Sequence, residues 1–237
     1  MSRGETAPAG ERATAAQDTR ARLIDVAERL FAEYGIEPVS LRQVGIEAGQ
    51  RNNSAAQYHF GSKEGLISAI IANRSRAVDA RRADLVDALR RSDAPPTLGE
   101  LVNLLVLPLM ETIGMSSGRT WYLRFLANVM DHPLAAPWGP VRAAPSGSGA
   151  PAGLPDPPDP PGLRYMRKEL RRLLPDLPAE EFERRMRWQV MITFRVLADY
   201  ERHRAGAAPG GGPAPVQVVS DLNEMLVALL RAPYPAA

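Results

Sequence analysis

The sequence contains no cysteine, which excludes disulfide bonds, thiolate metal ligands and cysteine nucleophiles. No run of about 18 apolar residues is present, so the sequence predicts no membrane-spanning helix. The segment 1–17 also has no apolar stretch of the kind that a signal peptide needs. From these absences we expect a cytoplasmic protein that has no membrane partner.

Recognisable catalytic machinery is missing as well. The three histidines are His59, His132 and His203, and none has a second ligand at a metal-binding spacing such as His-Glu-x-x-His. No glycine-rich phosphate loop follows a strand, and no Ser/His or paired-carboxylate constellation can be assembled. The sequence therefore predicts no catalytic residues, no metal site and no cofactor, and we expect that the chain is not an enzyme.

Charge of one sign is hardly in excess. The chain has 29 Lys and Arg against 27 Asp and Glu, a net charge of +2, and its two lysines are Lys63 and Lys168. Residues 1–65 hold eight basic and nine acidic residues. A nucleic-acid partner would have to be met by a local cluster of cations, because position matters more than the total. The cations that can form such a cluster near the N-terminus are Arg20, Arg22, Arg42, Arg51 and Lys63.

Apolar residues recur at helical spacing through most of the chain, and no period-two pattern indicates a strand. The sequence thus predicts an all-α fold. Capping boxes begin helices at Ser40 and Thr97, and Ser62 caps a long helix that runs to about Arg91. Other helices are predicted at about 18–34, 54–60, 118–130, 163–174, 179–203 and 216–231.

Three short helices near the N-terminus predict a helix-turn-helix, because the tight polar turn 50–53 joins the second to the third. The recognition helix of such a unit lies in the DNA major groove and needs small side chains where its backbone approaches the duplex. The sequence Ser54-Ala55-Ala56-Gln57-Tyr58-His59 offers two alanines and polar groups that can bond to bases or phosphates. A short packing helix would also fit this segment, so the pattern by itself leaves both interpretations open.

Two stretches carry a family resemblance. The segment Ser40-Leu-Arg-Gln-Val-Gly-Ile-Glu-Ala-Gly49, followed by Tyr58-His-Phe-Gly-Ser-Lys-Glu-Gly-Leu66, resembles the N-terminal domain of the TetR family of bacterial transcriptional regulators. The resemblance covers about residues 19–71 and implies a three-helix DNA-binding head followed by a larger helical domain that binds a small molecule and dimerises. The turn at 50–53 is one residue longer than the commonest family spacing.

The resemblance also implies which residues contact DNA. Gln57 and Ala56 fall on the base-facing side of the recognition helix, and Tyr58 and His59 fall where family members touch the DNA backbone. Ser40 and Lys63 fall at phosphate contacts. The predicted DNA-binding residues are Ser40, Arg42, Arg51, Asn52, Asn53, Ser54, Ala56, Gln57, Tyr58, His59 and Lys63.

The implied domains are uneven in length. We interpret residues 1–17 as a disordered N-terminal arm, 18–65 as the DNA-binding head, 66–231 as the effector-binding and dimerisation domain, and 232–237 as a tail. Within the larger domain, ten of the thirty residues from Pro133 to Gly162 are proline and five are glycine. Because hardly any of the others is aliphatic, we interpret 133–162 as a flexible insertion.

Aromatic and methionine side chains in the middle helices can form an adaptable apolar pocket, although each one singly can also be a core residue. The resemblance implies a small, mostly apolar effector for such a pocket. The predicted pocket residues are Met110, Met115, Trp121, Tyr122, Phe125, Met166, Trp188 and Met191.

The last two helices carry apolar faces that a single chain would not cover, so we predict a homodimer with a four-helix interface. The predicted interface residues are Val190, Phe194, Leu197, Leu222, Leu226, Leu229 and Leu230. A two-fold dimer reads two half-sites, and the operator is therefore expected to be pseudo-palindromic.

These features predict a DNA-binding transcriptional regulator, a repressor, that binds double-stranded operator DNA as a dimer and is released by its effector. In the predicted mechanism the effector shifts the long fourth helix and changes the separation of the two heads. Two alternatives are a helical protein-interaction module and a DNA-binding regulator without a small-molecule effector.

Overall fold

The computed structural model of the protein describes residues 9–52, 54–115, 120–130, 160–206 and 211–234. Within these ranges every regular element is an α-helix, which confirms the predicted fold class. In chain order the helices are α1 (Ala9–Tyr34), α2 (Leu41–Glu47), α3 (Ala55–Phe60), α4 (Lys63–Arg91), α5 (Leu98–Met115), α6 (Tyr122–Met130), α7 (Pro161–Leu173), α8 (Ala179–Gly206) and α9 (Pro215–Arg231). None of the described helices is long and apolar enough to cross a membrane.

The first helix is longer than predicted. It begins at Ala9, so the prediction of a disordered arm is wrong for residues 9–17. Thr14, Ala16 and Gln17 are exposed, so this part of α1 has no apolar stripe from which a helix could be predicted. A packed helix propagates easily through alanine, glutamine and arginine once it has been nucleated. Residues 1–8 lie outside the described residues.

The proline-rich insertion ends earlier than predicted. Helix α7 already begins at Pro161, where the missing amide hydrogen of proline breaks no helical bond. Gly162 lies directly on the stem of Arg82, since a Cβ atom there would be 2.7 Å from the Arg82 Cγ. Pro160 and Gly162 are therefore packed against the rest of the chain, and the remainder of the predicted insertion, 133–159, lies outside the described residues.

The four helices nearest the N-terminus form the head, in which α1 packs on α2, α3 and α4. A close approach fixes the start of α4. A Cβ atom on Gly65 would overlap the backbone carbonyl oxygen of Phe60, so only glycine fits where α4 meets the end of α3. The Ser62 hydroxyl accepts a hydrogen bond from the Gly65 amide at 3.1 Å and caps α4, as predicted.

Helix α6 joins the head to the rest of the molecule. The rings of Phe31 on α1 and Phe125 on α6 stack with centroids 6.1 Å apart. The Asn128 side-chain amide donates to the carbonyl oxygens of Phe31 at 2.8 Å and Ala32 at 3.3 Å. These carbonyls lie in the last turn of α1, where the Phe31 oxygen also accepts from the Gly35 amide at 3.1 Å. Helix α6 therefore adds side-chain hydrogen bonds at the C-terminal end of α1.

A buried carboxylate holds the other end of α6. Glu201 on α8 is 2% exposed. It accepts from the Thr120 hydroxyl at 2.7 Å, and from the Arg124 backbone amide at 3.0 Å. The Arg124 guanidinium lies 3.3 Å away. An anion at the first turn of a helix satisfies amides that have no helical partner.

Candidate nucleic-acid interface and effector cavity

Side-chain hydrogen bonds between residues that are close in sequence stabilise the turn between α2 and α3. Ser40 caps α2 by accepting from the Gln43 amide at 3.1 Å, as predicted. Gly49 ends α2 with φ +69°, a conformation that glycine adopts without strain. The Asn52 Oδ1 atom accepts from the Ser54 amide at 2.9 Å and leads the chain into α3. The exposed polar groups of the turn are thereby fixed on a rigid frame.

Helix α3 exposes only part of the predicted recognition surface. Gln57 and Tyr58 point to solvent, and Tyr58 is 85% exposed. Ala56 is fully buried, so its predicted base-facing position is wrong. A helix of six residues has to give one face to the core of the head, and Ala56 shares that face with Phe60, which packs against the same core.

The side chains at the tip of α3 are held in place by neighbours. The rings of Tyr58 and His59 meet edge to face, with centroids 5.3 Å apart. The Gln57 amide donates to the Gly61 carbonyl oxygen. Ser40, Arg42, Arg51, Asn52 and Ser54 are exposed around this tip, whereas Asn53 lies outside the described residues.

The Lys63 side chain is held by hydrogen bonds to the backbone. Its ammonium donates to the carbonyl oxygens of Ile36 and Glu37, both at 3.0 Å. An ammonium has three donors, so these two bonds leave capacity for a phosphate oxygen. The predicted phosphate contact is therefore also a brace between the first turn of α4 and the loop after α1.

Much of the acidic charge in the head is paired. Glu28 is 1% exposed and binds Arg74 at 2.6 Å. Burial raises the pKa of the Glu28 carboxyl, and the hydrogen bond to Arg74 opposes that shift. Arg29 binds Glu33 at 3.1 Å and Glu47 at 3.2 Å. These pairs explain how a head with an acidic total can still present cations at the turn.

Residues of the predicted effector pocket are scattered. Met110, Phe125 and Met166 are buried in the core. Trp121 is half-buried beneath the Arg124 guanidinium, which lies 4.2 Å from the ring centroid. Of the predicted set, Tyr122 lines the cavity described next. The side chain of Met115 lies outside the described residues.

Two members of that set face outward. Trp188 is 42% and Met191 50% exposed, so the prediction that they line an internal pocket is wrong. The inward stripe of α8 is formed instead by Met186, Val190, Thr193 and Leu197, which recur every three or four residues. Aromatic and sulfur-containing side chains alone do not reveal which face of a helix is inside.

A cavity of about 110 Å³ lies among helices α4 to α8, and we call it the α4–α8 cavity. Its walls are mostly apolar. The lining residues are Ile71, Ser75, Val78, Asp79, Arg82, Leu105, Leu109, Tyr122, Leu126, Val129, Met130, Pro160, Leu163 and Phe194. Burial raises the pKa of the Tyr122 phenol, which keeps this wall uncharged.

One end of the cavity is polar, which the sequence analysis missed. Arg82 is 3% exposed, pairs with Asp79 one helical turn away, and donates from Nε to the Leu104 carbonyl at 2.8 Å. The sequence signal is an Asp and an Arg at i and i+3 in a stretch of α4 that also contains Arg81 and Asp84, and this spacing is common on exposed faces.

The predicted dimer residues are also largely internal. Five of them are buried within the single chain, so the prediction that one chain leaves them uncovered is wrong for Val190, Leu197, Leu222, Leu226 and Leu230. Phe194 and Leu229 are half-buried. Helices α8 and α9 pack their apolar stripes on each other and on α5, and this covers the five side chains.

The α2–turn–α3 geometry, with its rigid turn and exposed tip, defines a helix-turn-helix DNA-binding protein. A family model described as bacterial regulatory proteins, tetR family, matches residues 23–70. The N-terminal head is therefore a tetR-family domain, and this match supports a DNA-binding transcriptional regulator. The match covers the head and the first part of α4.

Solved structures resemble this chain over most of its length. A gamma-butyrolactone receptor (ArpA like protein) has 19% identity and a TM-score of 0.50, with 89% of this chain and 99% of that chain covered. The structure of Mycobacterium smegmatis AmtR has 18% identity and a TM-score of 0.48, covering 95% and 88%. The first likeness supports the fold. A comparison with curated proteins gives no match.

Proposed function

We propose that the protein is a homodimeric repressor, released from a pseudo-palindromic operator by a small, mostly apolar effector in the α4–α8 cavity. The observation that carries this proposal is the course of α4. The helix begins at Lys63, which braces the head, and its next turns supply Ile71, Ser75 and Val78 to the cavity wall. One rigid element thus touches both sites.

Head and cavity are further linked by an ion pair on α4. Arg74 lies between the cavity residues Ile71 and Ser75 in sequence and binds the buried Glu28 of α1. A shift of α4 that makes room for an effector also moves the partner of Glu28. In a dimer, such a shift changes the separation of the two recognition helices, and the fit to two successive major grooves is lost.

The proposed DNA contacts combine exposed turn residues with the tip of α3. Tyr58 is the strongest candidate, because a side chain that is 85% exposed has little role in folding. Its hydroxyl can donate to a phosphate oxygen. Arg42, Arg51 and Lys63 supply positive charge, while Gln57 can reach base edges if it leaves the Gly61 carbonyl. Ser40, Asn52, Ser54 and His59 complete the proposed set.

The DNA contacts can be tested with the region upstream of the protein's own gene as the probe. Tyr58→Ala is expected to weaken binding by about tenfold, the effect of one lost good contact. Tyr34→Ala is the matched control, because Tyr34 is 61% exposed but lies at the end of α1. Binding should also weaken steeply as salt rises. Equal affinity for wild type and Tyr58→Ala, or no salt dependence, would contradict the proposed mode.

The proposed dimer uses an exposed surface that we call the outer α8–α9 face, formed by Trp188, Met191 and Met225. Trp188 is 42%, Met191 50% and Met225 58% exposed. The Gln189 amide donates to the Leu226 carbonyl at 3.5 Å, and this places Met225 beside the Trp188–Met191 turn. Large apolar side chains grouped on one surface are typical of protein interfaces.

Sedimentation analysis of Trp188→Glu tests this face, and a monomer is expected where wild type is a dimer. Val216→Glu is the matched control, because Val216 is 76% exposed and lies half a turn away from Met225 around α9. A monomeric wild type at micromolar concentration would contradict the dimer. A dimeric Trp188→Glu variant would contradict this face.

A further inference from the structure

The polar end of the α4–α8 cavity has an unusual charge balance. Asp79 and Arg82 form one ion pair, so the end carries both signs of charge and no net charge. The Arg82 guanidinium is already bonded on two sides, to Asp79 and to the Leu104 carbonyl. Ser75 lies one turn before Asp79 and also lines the cavity. Asp79, Arg82 and Ser75 therefore offer hydrogen-bond donors and acceptors to a ligand. They carry no net charge that could neutralise a charged ligand.

Burial makes this end a poor environment for a further charge. It raises the pKa of Asp79 although Arg82 acts in the opposite direction. It also lowers the pKa of the Arg82 guanidinium although Asp79 opposes that shift. Desolvation thus outweighs even the mutual attraction of the pair. A ligand ion that entered would bear the same desolvation cost with no unpaired counter-ion to offset it.

We infer that the α4–α8 cavity selects a neutral amphiphile, with a hydrogen-bonding head such as a carbonyl, amide or hydroxyl group at the Asp79–Arg82 pair and a hydrocarbon body against the apolar walls. This inference rests on the proposed function, because it assumes that the cavity is the effector site. Asp79 accepts from a donor on the head, and the Arg82 guanidinium donates to its oxygen.

The size of the cavity limits the hydrocarbon body. Its volume is about 110 Å³. For comparison, a cavity of about 150 Å³ holds benzene. A probe of about six heavy atoms therefore matches the space that is present.

An isosteric series of probes separates charge from shape. Isobutyramide is neutral, isobutyrate is an anion and isobutyramidinium is a cation, and all three have the same branched body. Binding is measured on the full chain by titration of methyl NMR signals. Shifts at Ile71, Val78 and Leu126 report occupancy of the cavity. We expect isobutyramide to bind at least about tenfold more tightly than either ion, because the ions lose their hydration on entry.

A single substitution should change this preference. Asp79→Asn removes the negative member of the pair and leaves the Arg82 guanidinium uncompensated, so isobutyrate is expected to gain about tenfold in affinity and to lose most of its disadvantage against isobutyramide. Asp87→Asn is the matched control, because Asp87 pairs with Arg90 at the same i,i+3 spacing on α4 but both side chains are exposed. The control should retain the wild-type order of the three probes.

The outcomes separate this inference from the function on which it rests. If wild type prefers either ion, or if Asp79→Asn does not shift the preference towards isobutyrate, the neutral-ligand inference is overturned while the cavity remains a ligand site. If no probe moves the signals of Ile71, Val78 and Leu126, both the inference and the proposed effector site are overturned. Tight binding of isobutyramide together with the shift in Asp79→Asn supports both.

Discussion

The head and the C-terminal domain are stabilised by polar contacts of very different sequence range. In the head, the caps Ser40 to Gln43 and Ser62 to Gly65 each span three residues. In the C-terminal domain, Glu201 reaches Thr120 across 81 positions, and Arg185 bonds the Leu230 carbonyl across 45. The caps that begin the head helices are thus specified by short stretches of sequence, whereas Glu201 and Arg185 hold the larger domain through pairs that meet only after folding.

The two proposed sites, the tip of α3 and the α4–α8 cavity, differ in the same way. The proposed DNA-binding tip is exposed and lies within one short stretch of sequence, so its residues can change with little effect on the core. The cavity is formed by five helices, and its polar pair is part of the core. Under the proposed function, substitutions at the cavity are therefore expected to change stability and ligand selection together, whereas substitutions at the tip are expected mainly to change DNA binding.

The largest loss of stability is expected at Gly65, where the backbone of α3 leaves no space for a side chain. Gly65→Ala places a methyl group onto the Phe60 carbonyl oxygen, so we expect a loss on the order of 3 kcal/mol and a disrupted α3–α4 junction. Hydrogen exchange should show lost protection in α2 and α3, with α8 and α9 retained. Gly206→Ala, with no atom within 4 Å of the new Cβ, is the matched control and should unfold no more easily. Wild-type protection in Gly65→Ala would contradict the close approach.

The second effect tests the long-range pairs. Glu201→Gln leaves Arg124, which is 8% exposed, without its carboxylate partner, and we expect a loss of about 3 kcal/mol. Urea unfolding monitored by tryptophan fluorescence measures the change. Asp199→Asn alters an exposed carboxylate on the same helix, 3.8 Å from Arg202, and should stay within about 0.5 kcal/mol. Equal stability of the two variants would show that Glu201 does not hold α6.

The third effect tests the contact between the two regions. Asn128→Ala removes the donor to the Phe31 and Ala32 carbonyls, at a loss of about 1–2 kcal/mol. Amide exchange should rise at the end of α1. Asn73→Ala is the control, because Asn73 is exposed on α4. If exchange in α1 is unchanged, the two regions are not joined through Asn128.

The smallest effect compares two helix caps. Thr97→Ala removes one half of the Thr97–Glu100 capping box and should cost about 1 kcal/mol at neutral pH. Hydrogen bonds from the Thr97 amide and hydroxyl lower the pKa of Glu100, so the carboxylate's contribution is present above its unfolded pKa and is lost as the pH falls through the folded value.

Acid should therefore narrow the difference between Thr97→Ala and wild type in thermal unfolding. The control is Ser62→Ala, whose hydroxyl accepts from a backbone amide without a carboxylate in the bond. The penalty of Ser62→Ala should vary less with pH. A Thr97→Ala penalty that stays constant from pH 7 to pH 3 would contradict the contribution of Glu100.

Local signals made several helix boundaries predictable. Ser40, Thr97 and Ser62 marked helix starts, because a capping side chain bonds within three residues of itself. The end of α4 at Arg91 was also predicted, since Pro95 and Pro96 follow it. Such contacts join residues that are close in sequence, so they can be predicted without knowledge of the tertiary fold.

The cavity and the buried faces could not be predicted in the same way. Trp188 and Phe194 are both large and apolar, yet one is exposed and the other lines the cavity. The choice depends on which helices surround α8. Likewise Ala56 is small, and a small residue suits both a close approach to DNA and the core of the head. In the structure Ala56 is buried in the core, because a helix of only six residues packs that face against the head.

The contact between α1 and α6 bears on how DNA specificity could be transplanted between regulators. A graft that ended at residue 65 would leave behind Phe125 and Asn128, which stack on and bond to the last turn of α1. It would also separate Glu28 from Arg74. The head is therefore not a self-contained cassette, and a working chimaera has to import positions 74, 125 and 128 together with residues 9–65.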